Sequence, residues 1–549
     1  NESIFTEEES AHLSNKKITF PSVREGSVIE LQYTIRSPFL DYLRNWEFQG
    51  EIPERWSEYE VRIPEFFNYS TQITGFYPFT VQVHDQNPMS ITTTSTVNTQ
   101  NQWTSSASFQ HNDVKYTEYS YRLGIENVPS FKEEPFTSSL YNYINAVRYE
   151  FISYQFPGEI LHDVASTWEK VTENLLKDES LGGALKRGGL VKEIVSEINA
   201  KATQPFDKML LAYEYVKNNL KWNGRNSKYL SGTIGQVFKD KVGNSADINL
   251  ALLLLLRGLN LKADPVVLST RKNGMVFESH PSLTDLNYVI ADVTMEGKEY
   301  LLDATEMVRP YNMLPFKCLN GKGLVLSDSS QHWVSLLNEE KDQSLWYGDF
   351  TLDGNGKIEG SLKISTAGYQ AASTRKDCLE KGKESYSKDF KEQLKNWDVG
   401  EVNIENLDNI REAVVTTCNV KSEEITEVNG DMIYFNVLLN QGEMTNPFGK
   451  EKREYPVDFG CPTKDVFLFT FEIPEGYQVL TLPEPVRISL PDQSASFKFL
   501  TSINNRKVTV SSTVQINKPV YYATEYEMLR EFFVQVIAKH AQQIVLKKM

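Results

Sequence analysis

Cysteine is scarce in this chain: 549 residues hold four, Cys318, Cys378, Cys418 and Cys461. They lie far apart, no Cys-x-x-Cys pair occurs, and no histidine stands at zinc-site spacing, which argues against a structural metal. Spacing alone leaves a Cys378–Cys418 disulfide open. The seven histidines, His12, His84, His111, His162, His280, His332 and His540, do not cluster either. Long apolar runs are missing: no stretch of about 18 apolar residues is present, so no membrane-spanning helix is expected. Dense basic runs are missing too. With 57 basic against 73 acidic residues the formal charge is -16, which speaks against nucleic acid and anionic membranes as partners. No cofactor motif and no acidic loop with calcium-ligand spacing appears, so no cofactor is expected. The chain opens NESIFTEEES, without an initiator Met or an apolar leader core. That opening is the one expected of a trimmed or mature chain.

What is present is ordinary globular material. Hydrophobic residues make up 40%, charged residues 24% and aromatics 12%, enough to build large cores. At about 150 residues per domain, the length suggests three or four domains. Residues 1–155 read as all-β. GSVIELQYTI (26–35) and YEVRIP (59–64) alternate apolar and polar, and FYPFTVQVH, SITTTSTVN and the Thr/Ser-rich stretch to Phe109 suggest further short strands. An N-terminal β-sandwich is the expectation.

The texture changes after Pro157. Residues 161–177, 189–202 and 206–222 carry apolar residues at helical spacing. GNSADINLALLLLLRGLNL (243–261) is apolar nearly all round, as in a helix buried inside a domain. Asn244 or Ser245 is suited to cap it, Asp247 sits in its first turn, and Gly258 suits its end. LNYVIADVT (286–294) and KEYLLDAT (298–305) flank Glu296-Gly297, a hairpin turn. The expectation for 156–338 is an α+β domain, and for 339–549 a second β-sandwich. That last region holds a helical insert at 385–397 and a closing helix with Tyr526, Leu529, Phe533, Val536 and Ile537 on one stripe.

The hairpin fixes a geometry. A two-residue Glu296-Gly297 loop sets Met295 opposite Lys298 and Tyr288 opposite Thr305. Asp303 then falls diagonally from Tyr288 on the same sheet face, with Cβ atoms within about 7–8 Å. Positions 288 and 303 are therefore expected to meet, facing the start of the helix at Ser245.

These residues carry a resemblance. Phe206–Pro315 resembles the transglutaminase-like superfamily, related to papain-fold cysteine proteases. Asp207–Trp222 resembles its first helix, GNSAD its nucleophile motif, LNYVI the strand bearing its histidine, and YLLDAT the strand bearing its acid. The resemblance implies that Ser245 occupies the nucleophile position, Tyr288 the general-base position and Asp303 the orienting acid. Two of the three depart from Cys-His-Asp. GSVIELQYTIRSP with WEFQGEIPERWSEYEVRIP resembles an N-terminal β domain of unknown function in large, secreted, Bacteroidetes-type transglutaminase-like proteins. VDFGCPTKDVFLFTFEIPEGYQVLTLPEP and the closing helix resemble their C-terminal domain. That implies three regions (1–155, 156–338, 339–549), a bacterial source and a periplasmic or extracellular location.

The chemistry of the substitutions points away from catalysis. A serine hydroxyl needs a true base to become a nucleophile. Tyrosine, with its pKa near 10, is a poor one at neutral pH. The leading expectation is an inactive transglutaminase- or protease-like chain that binds a peptide, protein or glycan, or serves as a scaffold. The alternative is a residual hydrolase or acyl-transfer enzyme using Ser245, with His280 of the loop ESHPSL as a rescuing base. Asn244, Asn287 and the aromatics Trp222, Tyr229 and Tyr311 are candidate cleft residues, though core packing serves each aromatic equally well. A plain packing account also exists: Ser245 as a helix cap, Tyr288 as a core aromatic, and Asp303 as its hydrogen-bond acceptor. No oligomeric state is encoded in any readable motif.

Overall fold

The computed structural model describes residues 4–10, 13–101, 104–327, 331–337 and 341–549. Among the described residues it is mixed α+β and strand-rich, and compactness divides it into residues 1–43 and 44–549. His12 and the expected division at 338/339 lie outside the described residues.

The first unit holds one hairpin, Ile4–Ser10 with Leu13–Ile18. The expected strand at 26–35 is corrected: no described ladder includes these residues, and Val28, Tyr33 and Phe39 are exposed. Alternation specifies a strand only where a neighbouring edge supplies hydrogen bonds.

The second unit opens with two sheets. In one, Ala146–Tyr154 is paired on either side by Trp46–Glu47 and Phe67–Thr74. In the other, Thr104–Val128 lies between Glu54–Pro64 and Val81–Asn101. The expected series of short strands is therefore corrected to two long ones, of 21 and 25 residues. Pro88 does not break its strand because that strand is at a sheet edge, where a missing N–H costs no ladder bond. Past the Pro64–Glu118 pair the long hairpin runs on as a two-stranded ribbon.

The central helices form where the apolar spacing placed them, with shifted starts. The first is Trp168–Lys177, not 161–177, because Thr167 caps it and Asp163 ties down Ser166 just before. Lys192–Lys201 and Pro205–Asn219 follow. The leucine-rich helix, Ser245–Gly258, is buried at every position from Ser245 to Leu256. Each buried leucine contributes roughly 1.5–3 kcal/mol relative to exposure, so the helix is the fixed spine of this region. It packs on a five-stranded antiparallel sheet with the order Lys298–Leu302, Tyr288–Met295, Lys262–Leu268, Lys322–Val325, His332–Ser335. The hairpin register is as expected: Met295 faces Lys298, and Glu296 and Gly297 have φ of 52° and 78°.

From Asp342 onward a large sheet is built around Asp342–Leu352, Thr463–Glu472 and Lys507–Ile516. The helical insert is two helices, Tyr369–Lys381 and Lys383–Gln393, separated at Gly382 with φ 86°. The closing helix ends at His540, and Gln543–Lys548 is a strand paired with Met432–Asn436 and Tyr477–Thr481. This corrects the single helix expected to reach the lysines. Ile544 and Leu546 alternate with exposed or half-exposed neighbours, the strand period, and both are fully buried. All four cysteines are buried and free. No described helix is long and apolar enough to cross a membrane.

Candidate functional site

The helix N-terminus at Ser245 is built as the sequence suggests and then closed. Asn244 Oδ1 accepts from Asp247 N at 2.9 Å and Asp247 Oδ2 accepts from Asn244 N at 2.7 Å, a reciprocal capping box. Asp247 also accepts from Ser231 N and Oγ at 3.0 and 2.7 Å. Gly243 is required here, since a Cβ at this position would stand 2.4 Å from that of Asp247. Segment 225–231 is thereby stapled across the end of the helix. Ser245 N donates to Arg225 O at 3.1 Å. Ser245 Oγ donates to Ser227 O at 2.9 Å and accepts from Ser227 N at 2.8 Å. Ser245 is fully buried, and its hydroxyl is spent on one backbone residue.

Tyr288 and Asp303 meet as the hairpin geometry requires. Tyr288 Oη donates to Asp303 Oδ2 at 2.9 Å and lies 3.3 Å from Thr305 Oγ1. Asn249 Nδ2 donates to the same Asp303 oxygen at 2.9 Å, and Thr305 N donates to the other at 3.0 Å. The Thr305 hydroxyl supplies a fourth bond. Four donors saturate the carboxylate. Burial first, then the negative charge of Asp303, push the Tyr288 phenol well above its ordinary range. It stays an O–H donor and cannot serve as a base.

No hydrogen bond joins Ser245 to Tyr288 or Asp303. The space between Trp222 and Tyr288 is taken by Lys317, which sequence reasoning missed. Its Nζ lies 3.3 Å from the Trp222 ring centroid and 4.9 Å from that of Tyr288. It is buried and makes no hydrogen bond. Burial lowers its pKa, opposed mainly by the charge of Asp303. Trp222 is itself fixed, its Nε1 donating to Arg225 O at 2.8 Å. The signal that could have revealed Lys317 is a lone cation in the otherwise apolar stretch MLPFKCL (313–319).

The remaining candidates are corrected in part. His280 does not reach Ser245: its Nδ1 is 2.8 Å from Ser279 Oγ, and it lines a gap of about 20 Å³ with Arg148 and Tyr149. That loop is anchored instead by Glu150, which accepts from Ser282 Oγ at 2.9 Å and Leu283 N at 2.8 Å. Asn287 locks a strand end, accepting from Thr270 N at 2.9 Å and donating to Thr270 Oγ1 at 3.0 Å. The Tyr229 ring lies beneath Lys228 Nζ at 4.9 Å. Tyr311 packs edge-on against Phe206 and lines a separate cavity of about 240 Å³ with Lys298, Tyr300 and Leu336. Of the cleft candidates, Trp222 and Asn244 are tied by their side chains to the Ser245 turn, and Tyr229 touches it through its backbone carbonyl, which accepts from Asn244 Nδ2 at 3.0 Å. Among the described residues no group of acids, histidines and cysteines is arranged to hold a metal ion.

No curated protein matches the sequence. Residues 431–546 match the model of DUF3858, a domain of unknown function with a solved structure. Among solved structures, the chain is similar to a putative protease from Parabacteroides distasonis, with 11% identity and a TM-score of 0.49 over 92% of this chain and 74% of that one. It is also similar to a putative cysteine protease from Cytophaga hutchinsonii, with 9% identity and a TM-score of 0.20 over 51% of this chain and 88% of that one.

Proposed function

We propose that this chain is a transglutaminase-like scaffold whose central region has lost covalent chemistry, set between β regions at 1–155 and 339–549 and working in a periplasmic or extracellular setting. The observation that carries the reading is the occupied site: Lys317 sits between Trp222 and Tyr288. Ser245, for its part, is closed onto Ser227. A nucleophile needs an exposed atom and a base within reach. Ser245 has neither among the described residues. The same filling argues against a peptide or glycan strand lying in this cleft, because Lys317 already covers the Trp222 ring that would grip it. The hydrolase alternative finds no support in His280, whose loop is tied to Glu150.

The test is labelling of the intact chain with a fluorophosphonate probe, together with incorporation of a dansylated amine into a glutaminyl peptide. Neither signal is expected above that of the Ser245→Ala variant. Labelling that disappears in Ser245→Ala would overturn the reading in favour of a hydrolase.

A further inference from the structure

The C-terminal region holds a cavity of about 420 Å³ between the large sheet, the closing helix and the loop at 441–447. Its walls are aromatic and aliphatic, with Trp346, Phe459, Phe467, Phe533 and Val536 among them. Two carboxyl groups line it: Asp465, half-buried on the strand Thr463–Glu472, and Glu443, exposed at the mouth. Neither carboxyl group makes a hydrogen bond or an ion pair with a described residue, and no Lys or Arg is among the lining residues.

The protein supplies no counter-charge from elsewhere in the cavity. His540, the one lining base, is buried, with Nε2 2.8 Å from Ser512 Oγ and Nδ1 3.3 Å from Glu443 O. Burial lowers its pKa to about 4, so it is neutral at physiological pH. Asp465 is pushed up to about 6, by burial first and then by the charges of Asp342 and Glu443. An aromatic chamber bordered by two unpaired acids favours a cation with an apolar body, through ring faces and charge together. An anion would meet only like charge, and a purely apolar guest would leave both carboxyl groups unpaired.

We propose that this cavity binds a small organic amine, its apolar body against Trp346, Phe467 and Phe533 and its ammonium group on Asp465 and Glu443. The size suits an arylalkylamine better than a bare alkylammonium ion, since drug-sized pockets begin at about 300 Å³. This site is independent of the Ser245 region, and its fate does not bear on whether that region is catalytic.

The experiment is isothermal titration of the full chain near pH 7 with butylamine, phenethylamine and tryptamine, and with 3-ethylindole as the uncharged counterpart of tryptamine. At least one aryl amine is expected to bind saturably, and 3-ethylindole at least tenfold more weakly than tryptamine. Asp465→Asn and Trp346→Ala should each weaken the aryl amine at least tenfold, with thermal melts checking that both variants are folded. The comparison with 3-ethylindole uses the unaltered protein and so survives a variant that fails to fold. Affinity should also rise from pH 5 to pH 7 as Asp465 ionises among Asp342, Glu443 and the neutral His540. The proposal falls if no amine binds, if 3-ethylindole binds as well as tryptamine, or if a folded Asp465→Asn variant binds unchanged.

Discussion

The Tyr288 hydroxyl donates to Asp303 at 2.9 Å across a hairpin whose turn is Glu296–Gly297. Asp303 takes three further bonds, from Asn249 Nδ2 and from both the amide and hydroxyl of Thr305. The two side chains are therefore not equivalent partners. Tyr288→Phe removes one of four donors and leaves the other three in place, which should cost about 1–3 kcal/mol. Asp303→Asn turns an acceptor edge into an amide facing donors, and should cost about 3 kcal/mol or more. Urea unfolding of both variants checks the order. Equal losses, or a larger loss for Tyr288→Phe, would contradict it.

Ser245 is sealed, and a thiol placed there should be sealed as well. The side chain is fully buried, and its neighbours on the Ser227 backbone hold it in place. Ser245→Cys should resist a maleimide under native conditions and react rapidly once the chain is unfolded in denaturant. The four natural cysteines are buried too, so the native background is low. Fast native labelling confined to the Ser245→Cys variant would mean that the cleft is open.

How much of this was legible in the sequence follows from which interactions are local. The capping box at Asn244–Asp247, the buried helix and the Glu296–Gly297 turn are set within a few residues of chain, and each stands where the pattern placed it. The Tyr288–Asp303 contact followed because a two-residue turn dictates the register on either side. Lys317 was not legible, because its position beneath Trp222 joins residues 95 positions apart and no local rule couples them. Strand 543–548 was misread as helix because its apolar residues continue the helical stripe, and its pairing with Met432–Asn436 is again a distant contact. At 26–35 the reverse occurred: the local pattern of a strand is present, without a ladder among the described residues.

Lys317 itself yields a stability prediction with an unusual sign. Its buried amino group has no hydrogen bond. Taking a charge from water without such a bond costs several kcal/mol, more than the roughly 2 kcal/mol that desolvated ring contacts return. Lys317→Met keeps a long apolar chain on the Trp222 face and removes the charge. It should be more stable than the parent near pH 7, whereas Lys317→Ala should lose packing and be less stable. Because burial lowers the Lys317 pKa, the unfolded chain holds the extra proton between that lowered value and the ordinary lysine range. The parent therefore gains stability as pH rises through this window, and the advantage of Lys317→Met should shrink. A Lys317→Met variant less stable than the parent at pH 7 would sink the idea.

Lys228 gives the sharper pH test because its two carbonyl partners fix its geometry. Nζ donates to Leu283 O at 2.7 Å and to Leu286 O at 2.6 Å, and burial pushes its pKa down to about 8 against the opposing charges of Glu150, Asp285 and Asp178. A neutral amine still donates two hydrogen bonds, so the loop at 283–286 stays tethered when the proton leaves. Between pH 8 and the ordinary lysine value near 10.4, the unfolded chain binds a proton that the folded chain lacks. Stability from this group must then rise with pH, by up to about 1.4 kcal/mol per pH unit. Lys228→Met loses the two carbonyl bonds, a fixed cost, together with that slope. The measurement is the parent-minus-variant difference in unfolding free energy from pH 7 to pH 10, which cancels the lysines and tyrosines common to both chains. The difference should widen in favour of the parent above pH 8, and a difference that stays flat or narrows would place Lys228 in a solvated setting instead of the buried one.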